Sequence, residues 1–179
     1  MSSQGDKLIF AGPVGVGKTT AIAAISDIPP VSTDVAATDE TLERKETTTV
    51  AMDYGFFTLD DGQYIHLYGT PGQERFDFMW DILTQGGLGL ILMVDATRTN
   101  PIEDMTFYLD RFANFINATG AVIGLNRNNS DGKDIYEAVQ RTLEERQQPL
   151  PVFEIDARNG EDVKLLVHAL IAMLDSRGE

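Results

Sequence analysis

Residues 12–19 read Gly-Pro-Val-Gly-Val-Gly-Lys-Thr, the pattern G-x-x-x-x-G-K-[ST], and lie between a short apolar run at 7–11 and a stretch with helical spacing. Glycines allow successive backbone N–H groups to converge on an anion at the N-terminus of that helix. Lys18 is expected to reach the β- and γ-phosphates, and the Thr19 hydroxyl to ligate Mg²⁺. The segment predicts binding of a nucleoside triphosphate, against the alternative of a glycine-rich turn with an incidental Lys-Thr pair. The residues expected to contact the nucleotide here are Gly12, Val14, Gly15, Val16, Gly17, Lys18, Thr19 and Thr20.

The elements that must position this loop follow from the apolar pattern. Strands are predicted at 7–11, 50–59, 64–68, 88–94, 121–125 and 152–155, and helices at 18–26, 76–83, from 101 through 115, 133–145 and 163–174. Residues 31–48 are polar without a clear period and are predicted to form a long loop. Strands that alternate with helices predict an α/β three-layer sandwich, with a mostly parallel six-stranded sheet and one antiparallel hairpin strand. Ligands of such sheets bind at the carboxyl ends of the strands, where the phosphate loop lies.

Length and composition suit one compact domain. With 179 residues and 42% hydrophobic content, we expect a single domain over 7–175, with a flexible tail at 1–6 and another at 176–179. A net charge of −14 disfavours nucleic acid and anionic membranes as partners. The absence of cysteine excludes disulfides, zinc thiolate sites and cysteine lipidation. Without an apolar run of membrane-spanning length, a signal peptide or a myristoylation glycine, we expect a cytoplasmic protein with no membrane anchor.

Two further segments carry a resemblance to a known family. Gly69-Thr-Pro-Gly-Gln-Glu-Arg-Phe76 follows the strand at 64–68, and Thr49-Val-Ala-Met-Asp-Tyr54 enters the strand before it. Together with the phosphate loop, these segments resemble the small Ras-like GTPases in order and approximate spacing over essentially the whole chain. The resemblance is closest to the bacterial MglA-type GTPases and their relatives encoded beside roadblock-type proteins. It implies a Ras-like P-loop fold, GTP or GDP with Mg²⁺ as ligands, and a regulator or effector of the roadblock type as partner.

The resemblance also implies roles for individual residues. Thr49 would complete the Mg²⁺ coordination, Gly72 would offer a backbone N–H to the γ-phosphate, and Gln73 would orient the attacking water. The catalytic set is then Gln73, Lys18 and Thr49, with Thr19 and Thr49 as metal ligands. Loss of the γ-phosphate would release both segments, which is an order–disorder switch. The alternative for Gln73 is a solvated turn residue, and for Thr49 an ordinary strand-entry threonine.

The chain departs from the family at two carboxylates. Gly69 stands where the D-x-x-G motif has the Asp that holds Mg²⁺, usually through a water, so metal affinity should be weaker. Asp95, at the end of the strand at 88–94, is a candidate replacement, although a structural turn residue is the favoured interpretation. Val14 stands where eukaryotic members often have glycine and would crowd the γ-phosphate, so we expect slow intrinsic hydrolysis.

Base recognition differs from the family as well. The family's N-K-x-D motif falls at Asn126-Arg-Asn-Asn129, in which Asn126 matches and the Arg127 stem is able to lie over a purine. Asn129 lacks the carboxylate that accepts hydrogens from guanine, so guanine preference is expected to be weakened, shifted towards xanthine or rescued by Asp131. The alternative is a plain polar loop. Downstream, Asp156-Ala-Arg158 takes the place of S-A-K, where the backbone N–H of Ala157 would meet the purine 6-oxo group and Arg158 would join the nucleotide-binding set.

The favoured function is a switch that hydrolyses GTP slowly under the control of a regulator. An alternative is a pseudo-GTPase scaffold that binds nucleotide weakly or not at all and works through protein contacts, as the missing carboxylates suggest. A P-loop kinase is a third candidate, disfavoured because the arginines are scattered rather than grouped in a lid. Hydrophobic residues in the helix at 76–83 pack on the sheet for the most part, and we expect some of them to be exposed for partner docking.

Overall fold

A seven-stranded sheet forms the centre of the molecule. The computed structural model describes residues 5–37, 48–72, 77–128 and 135–178, with the backbone alone at 32–37 and 48–51. The strands are β1 (Asp6–Ala11), β2 (Val31–Ala37), β3 (Thr48–Thr58), β4 (Tyr64–Gly69), β5 (Gly89–Asp95), β6 (Ala121–Asn126) and β7 (Val152–Ile155). Their order across the sheet is β2-β3-β4-β1-β5-β6-β7. Five strands from β4 to β7 run parallel, and β3 is antiparallel to both β2 and β4.

Six helices cover the two faces of the sheet in the described part of the chain. They are α1 (Lys18–Ile25), α2 (Asp77–Thr84), α3 (Pro101–Arg111), α4 (Ala113–Ala118), α5 (Ile135–Glu145) and α6 (Gly160–Arg177). One core joins α1 and α6 to one face, with Leu8 and Phe10 of β1 among its members. The other core joins α2, α3, α4 and α5 to the opposite face, where Ile9 and Ala11 point. Successive side chains of β1 thus point into the two cores in turn, as expected for a strand in a sheet that is covered on both faces.

The fold class predicted from the sequence is confirmed, with a correction at the sheet edge. Residues 31–37, expected to begin a long loop, form β2, which pairs with β3 from Val31↔Tyr54 to Ala37↔Thr48. The sheet therefore has seven strands rather than six. Backbone pairing with an edge strand does not require the apolar alternation that a sequence pattern detects, which is why this strand was missed.

The predicted helix from 101 through 115 is divided in two. Its first part, α3, begins with Pro101 at the first turn and carries Glu103 and Asp104 there, which is the composition favoured at a helix N-terminus. At Phe112 the backbone leaves the helical region, and α4 follows immediately. Within the residues that the structure describes, no helix combines the length and apolar character needed to cross a membrane.

Candidate nucleotide-binding site

The phosphate loop connects β1 to α1 and curls through three glycines. Gly15 and Gly17 have φ angles of 78° and 110°, in the region that side chains disfavour. A Cβ on Gly12 would lie 2.6 Å from the carbonyl oxygen of Met93 in β5, so only glycine fits there. The loop conformation therefore requires glycine at positions 12, 15 and 17. Val14, at the tip of the loop, is 57% exposed.

Lys18 lies buried beneath this loop. Its Nζ donates hydrogen bonds to the carbonyl oxygens of Gly12, at 2.5 Å, and Pro13, at 3.0 Å. Burial lowers the pKa of Lys18 to about 8; the negative charge of Asp53 opposes this shift and the positive charge of Arg98 adds to it. A buried ammonium at a helix N-terminus has the chemistry to hold an oxyanion.

The hydroxyl of the next residue contacts a carboxylate for which the sequence motifs predict no role. Thr19 Oγ1 donates to Asp53 Oδ2 at 2.5 Å. Asp53 lies on β3, directly opposite Gly69 of β4 in the antiparallel register. The sequence indicates that side chains alternate along β3 and that β3 pairs with β4. Without the register of that pairing, neither signal shows that Asp53 lies opposite Gly69 and next to Thr19.

The segment after β4 packs on the phosphate loop. The Thr70 N–H donates to the carbonyl oxygen of Phe10 at 2.9 Å, which ties the segment to β1. A Cβ on Gly72 would lie 2.6 Å from the backbone nitrogen of Val14, so the two chains touch at this point. Gln73 lies outside the described residues, and its role stays a prediction.

Thr49 lies in β3, where its backbone pairs with Ala36. Its side chain lies outside the described residues. Asp53 follows Thr49 by four residue steps along extended chain, which at ~3.3 Å per residue is about 13 Å along the strand. The predicted role of Thr49 as a metal ligand stays a prediction.

A cavity of about 580 Å³ opens beside the phosphate loop. Its walls come from the N-terminal turn of α1 and from the carboxyl ends of β6 and β7 with the turns that follow β5, β6 and β7. Six of the residues that the sequence predicts to bind nucleotide line it together: Gly17, Thr20, Asn126, Arg127, Ala157 and Arg158. Because these turns lie at the carboxyl ends of parallel strands, the cavity is where this architecture binds ligands.

Asn126 joins the walls of this cavity to the phosphate loop. It is 4% exposed. Its Nδ2 donates to the carbonyl oxygen of Val16 at 3.0 Å, and its Oδ1 accepts from the backbone N–H of Ala157 at 3.2 Å. The Ala157 N–H, predicted to meet a purine oxygen, is therefore engaged with Asn126 in this structure. Asn129 and Asp131 lie outside the described residues.

Arg127 and Asp95 form a second link to the loop. The Arg127 guanidinium donates to the carbonyl oxygen of Gly15, at 2.8 Å, and to Asp95 Oδ2, at 2.6 Å. Asp95 Oδ1 accepts from the Thr97 N–H and hydroxyl, so Asp95 is the structural turn residue that was the favoured interpretation. Burial would raise the pKa of Asp95, but the hydrogen bonds from Thr97 and Arg127 outweigh it and hold the pKa below its ordinary value.

The turn after β7 is held by its own charges. Arg158 pairs with Asp156 at 2.7 Å; the Arg158 side chain is largely exposed and that of Asp156 about half exposed. Hydrogen bonds from Arg158 lower the pKa of Asp156 to about 2, so this carboxyl is ionised at neutral pH. In the described part of the chain, no group of three or more histidine, cysteine or acidic side chains is arranged to hold a metal ion.

The chain is similar in sequence to known proteins. A family model described as "Conserved hypothetical ATP binding protein" matches residues 30–141, a range that begins after the phosphate loop and includes Asp53, Gly69 and Asn126. An uncharacterized protein of Methanocaldococcus jannaschii is 35% identical over 98 residues, which are 55% of this chain and 56% of that protein. The chain thus spans little more than half the length of this relative.

Ras-related proteins match over a longer range. Rab-27A of Sus scrofa is 26% identical over 97% of this chain and 80% of its own length. Rab-27B of Homo sapiens is 25% identical over 97% of this chain and 81% of its own length. These similarities support a nucleotide-binding protein of the Ras-like small GTPase superfamily, in agreement with the observed α/β sandwich.

Proposed function

Since the chain belongs to the family described as conserved hypothetical ATP-binding proteins, we propose that it binds a purine nucleoside triphosphate, GTP in preference, and acts as a switch that hydrolyses it slowly. The observation that carries this proposal is that Lys18 is buried beneath the glycine loop, next to a cavity lined by residues predicted to bind nucleotide. Phosphates would bind at the loop and the base in the cavity. The similarity to Ras-related proteins along 97% of the chain supports a GTPase-type activity.

The chemistry is phosphoryl transfer to water, in which positioning and charge stabilisation do most of the catalysis. Lys18 holds the β- and γ-phosphate oxygens and stabilises the charge that develops on them. Gly72, whose backbone touches the phosphate loop, offers an N–H to the γ-phosphate. Gln73 orients the water for in-line attack. Mg²⁺, when bound with the nucleotide, supplies further charge neutralisation.

Guanine is the favoured base because of the Ras-like resemblance, while the family description names ATP. Asn126 is in the position of the first residue of the N-K-x-D motif of Ras-like GTPases. Its amide forms hydrogen bonds with Val16 and Ala157 at the wall of the cavity. The carboxylate that selects guanine in that motif is replaced by Asn129, so a reduced discrimination against xanthine is part of the proposal.

Release of inorganic phosphate over several turnovers tests the activity. We expect the wild-type protein to release phosphate from GTP in the presence of Mg²⁺, and Lys18→Ala and Gln73→Ala to abolish this release. Lys164→Ala, at a half-buried position of α6, and Gln85→Ala, at an exposed position after α2, remove the same side-chain types away from the phosphate loop and serve as matched controls, which should retain the wild-type rate.

Absence of turnover in the wild-type protein would favour the pseudo-GTPase scaffold. The observation that favours this second function is Gly69, which leaves β4 without the metal-holding carboxylate of the family. A scaffold would bind its partner with equal affinity whichever nucleotide is added.

We propose that the partner is a regulator or effector of the roadblock type, as the resemblance implies. Phe78 and Ile82 of α2 and Phe107 of α3 are 49%, 57% and 38% exposed, and they lie on the helices next to the segment that includes Gln73. The test is binding of a purified roadblock-type protein to the GDP-bound chain and to the chain bound to a non-hydrolysable GTP analogue. A difference between the two states that Phe78→Ser removes is expected; equal binding in both states would contradict a switch.

A further inference from the structure

We propose that Asp53 supplies, from strand β3, the metal-side carboxylate that the Ras-like motif places at position 69 of β4. The inference rests on the proposed function, because the cation arrives with a nucleoside phosphate. It assigns a role to a residue that lies within the segment 49–54 but was given no function there, and it explains how a chain with Gly69 keeps a carboxylate beside the phosphate loop.

The register of the hairpin brings positions 53 and 69 together. β3 and β4 are antiparallel, and Asp53 is the partner of Gly69 across the ladder. Side chains of directly opposed residues leave the same face of the sheet with Cβ atoms about 4.5–5.5 Å apart. A carboxylate on either residue therefore projects toward the same space, on the face that α1 covers.

Contacts at Gly69 indicate that this space holds one carboxylate. A Cβ built on Gly69 would lie 3.2 Å from Asp53 Cβ, 3.4 Å from Asp53 Oδ2 and 3.2 Å from Ile22 Cδ1. These approaches are tight, so a side chain at position 69 would compete with the carboxylate of Asp53. Glycine at 69 and aspartate at 53 are thus complementary.

The carboxylate also contacts the hydroxyl that the phosphate loop offers to a cation. Thr19 Oγ1 gives its hydrogen to Asp53 Oδ2 at 2.5 Å, which leaves the lone pairs of the hydroxyl oxygen available to a metal. A hydrogen-bonded carboxylate next to a metal ligand orients that ligand and adds negative charge near the cation. The negative charge of Asp53 also acts on Lys18, the phosphate-binding cation, so the carboxylate lies within electrostatic reach of the phosphate site.

The donor set fits Mg²⁺. This ion is held in nucleotide sites by one or two protein groups together with phosphate oxygens and several waters, rather than by an all-protein cage. Thr19 and Asp53 provide one hydroxyl and one carboxylate, which is sufficient once phosphates complete the set. When Mg²⁺ is bound, Asp53 would supply negative charge close to the ion, and its hydrogen bond from the Thr19 hydroxyl would fix the orientation of Thr19.

The release rate of a fluorescent GDP analogue tests this role without measuring hydrolysis. Release is followed in excess Mg²⁺ and in excess EDTA for the wild-type protein, for Asp53→Asn and for Asp60→Asn, a carboxylate at the exposed hairpin turn that serves as the matched control. We expect EDTA to accelerate release from the wild-type and control proteins. Asp53→Asn should need about 10–100-fold more Mg²⁺ to slow release, since loss of an outer-shell partner costs metal affinity on that scale.

A relocation variant separates this role from a structural one. Asp53→Ala combined with Gly69→Asp returns the carboxylate to β4 and removes the Asp53 carboxylate oxygen, which a Cβ at position 69 would approach to 3.4 Å. We expect this double variant to recover most of the Mg²⁺ dependence that Asp53→Ala alone loses. If Asp53→Asn retains the wild-type Mg²⁺ dependence, or the double variant behaves as Asp53→Ala does, the assignment of Asp53 is overturned.

Failure of the proposed function gives a different result. A wild-type protein that retains no guanine nucleotide with or without Mg²⁺ would overturn nucleotide binding itself, and the assignment of Asp53 with it. Retention of GDP with no response of any variant to EDTA would leave nucleotide binding intact and overturn only the metal role of Asp53.

Discussion

Replacement of Asn126 by alanine should destabilise the protein and weaken nucleotide binding together. The side-chain amide makes two hydrogen bonds in a buried position, one to the carbonyl oxygen of Val16 and one from the N–H of Ala157. Asn126→Ala removes both and leaves a buried acceptor and a buried donor without their protein partner. Each such loss costs ~1–3 kcal/mol, with the lower end where water enters from an adjacent cavity.

The expected total is about 2–4 kcal/mol, since the cavity next to Asn126 admits water to one of the two groups. Urea denaturation followed by circular dichroism measures this loss as a lower midpoint with an unchanged slope. Asn128→Ala is the matched control: its amide bonds Glu154 at an exposed position, and we expect a loss below ~1 kcal/mol.

Nucleotide affinity provides the second readout. Asn126 connects the phosphate loop to the turn after β7, and both line the proposed site, so its removal should lower GDP affinity by at least about tenfold, equivalent to ~1.4 kcal/mol. A variant whose free energy of unfolding stays within ~0.5 kcal/mol of the wild-type value, or whose GDP affinity is unchanged, would refute this account of Asn126.

Three further predictions concern the surroundings of the loop. Asp95→Asn should destabilise the protein by ~1–3 kcal/mol at pH 7, because hydrogen bonds to a charged group are lost. Since the pKa of Asp95 is below its ordinary value, the ionised carboxylate stabilises the fold above about pH 4. The difference in stability between Asp95→Asn and the wild type should therefore shrink as the pH falls below that value, which denaturation at several pH values measures. Gly72→Ala should slow phosphate release and lower the melting temperature, since its Cβ would collide with the backbone of the phosphate loop. Gly62→Ala is the control, because its Cβ would meet no atom within 4 Å and strain only its own turn. Equal effects of the two variants on phosphate release would contradict the contact between Gly72 and the loop. Trp80 is the single tryptophan and donates its indole N–H to the carbonyl oxygen of Pro71 at 2.9 Å, so its fluorescence should change when GDP is exchanged for a GTP analogue, and an identical spectrum in both states would count against movement of this segment.

Much of the fold follows from the sequence because burial imposes periodicity. The runs that became β5 and β6 are apolar throughout, and both strands are buried along their whole length, as parallel strands covered on both faces must be. The sequence of β2 shows no such apolar pattern, because β2 is an edge strand that depends on backbone pairing with β3. The division of the predicted helix at Phe112 likewise depends on local backbone geometry that a hydrophobic period does not reveal.

The site was predictable where a local motif defines it and not where the register does. The phosphate loop, Lys18 and Asn126 were identified from residue types at fixed spacing, and the structure brings most of the predicted binding residues to one loop and one cavity. Asp53 contacts Thr19 across 34 positions of sequence, and no local pattern contains both. Only the pairing of β3 with β4 shows that Asp53 and Gly69 share one space.

Titration calorimetry with GDP, XDP and ADP, each with and without Mg²⁺, tests the central claim most directly. We expect GDP to bind in the presence of Mg²⁺, ADP to bind at least about tenfold more weakly, a difference of ~1.4 kcal/mol, and Lys18→Ala to abolish the binding of GDP. Preference for XDP would keep the switch and change its ligand, and preference for ADP would replace guanine with adenine, as the family description suggests. Absence of binding by all three nucleotides would contradict the account and leave a scaffold that retains only the fold.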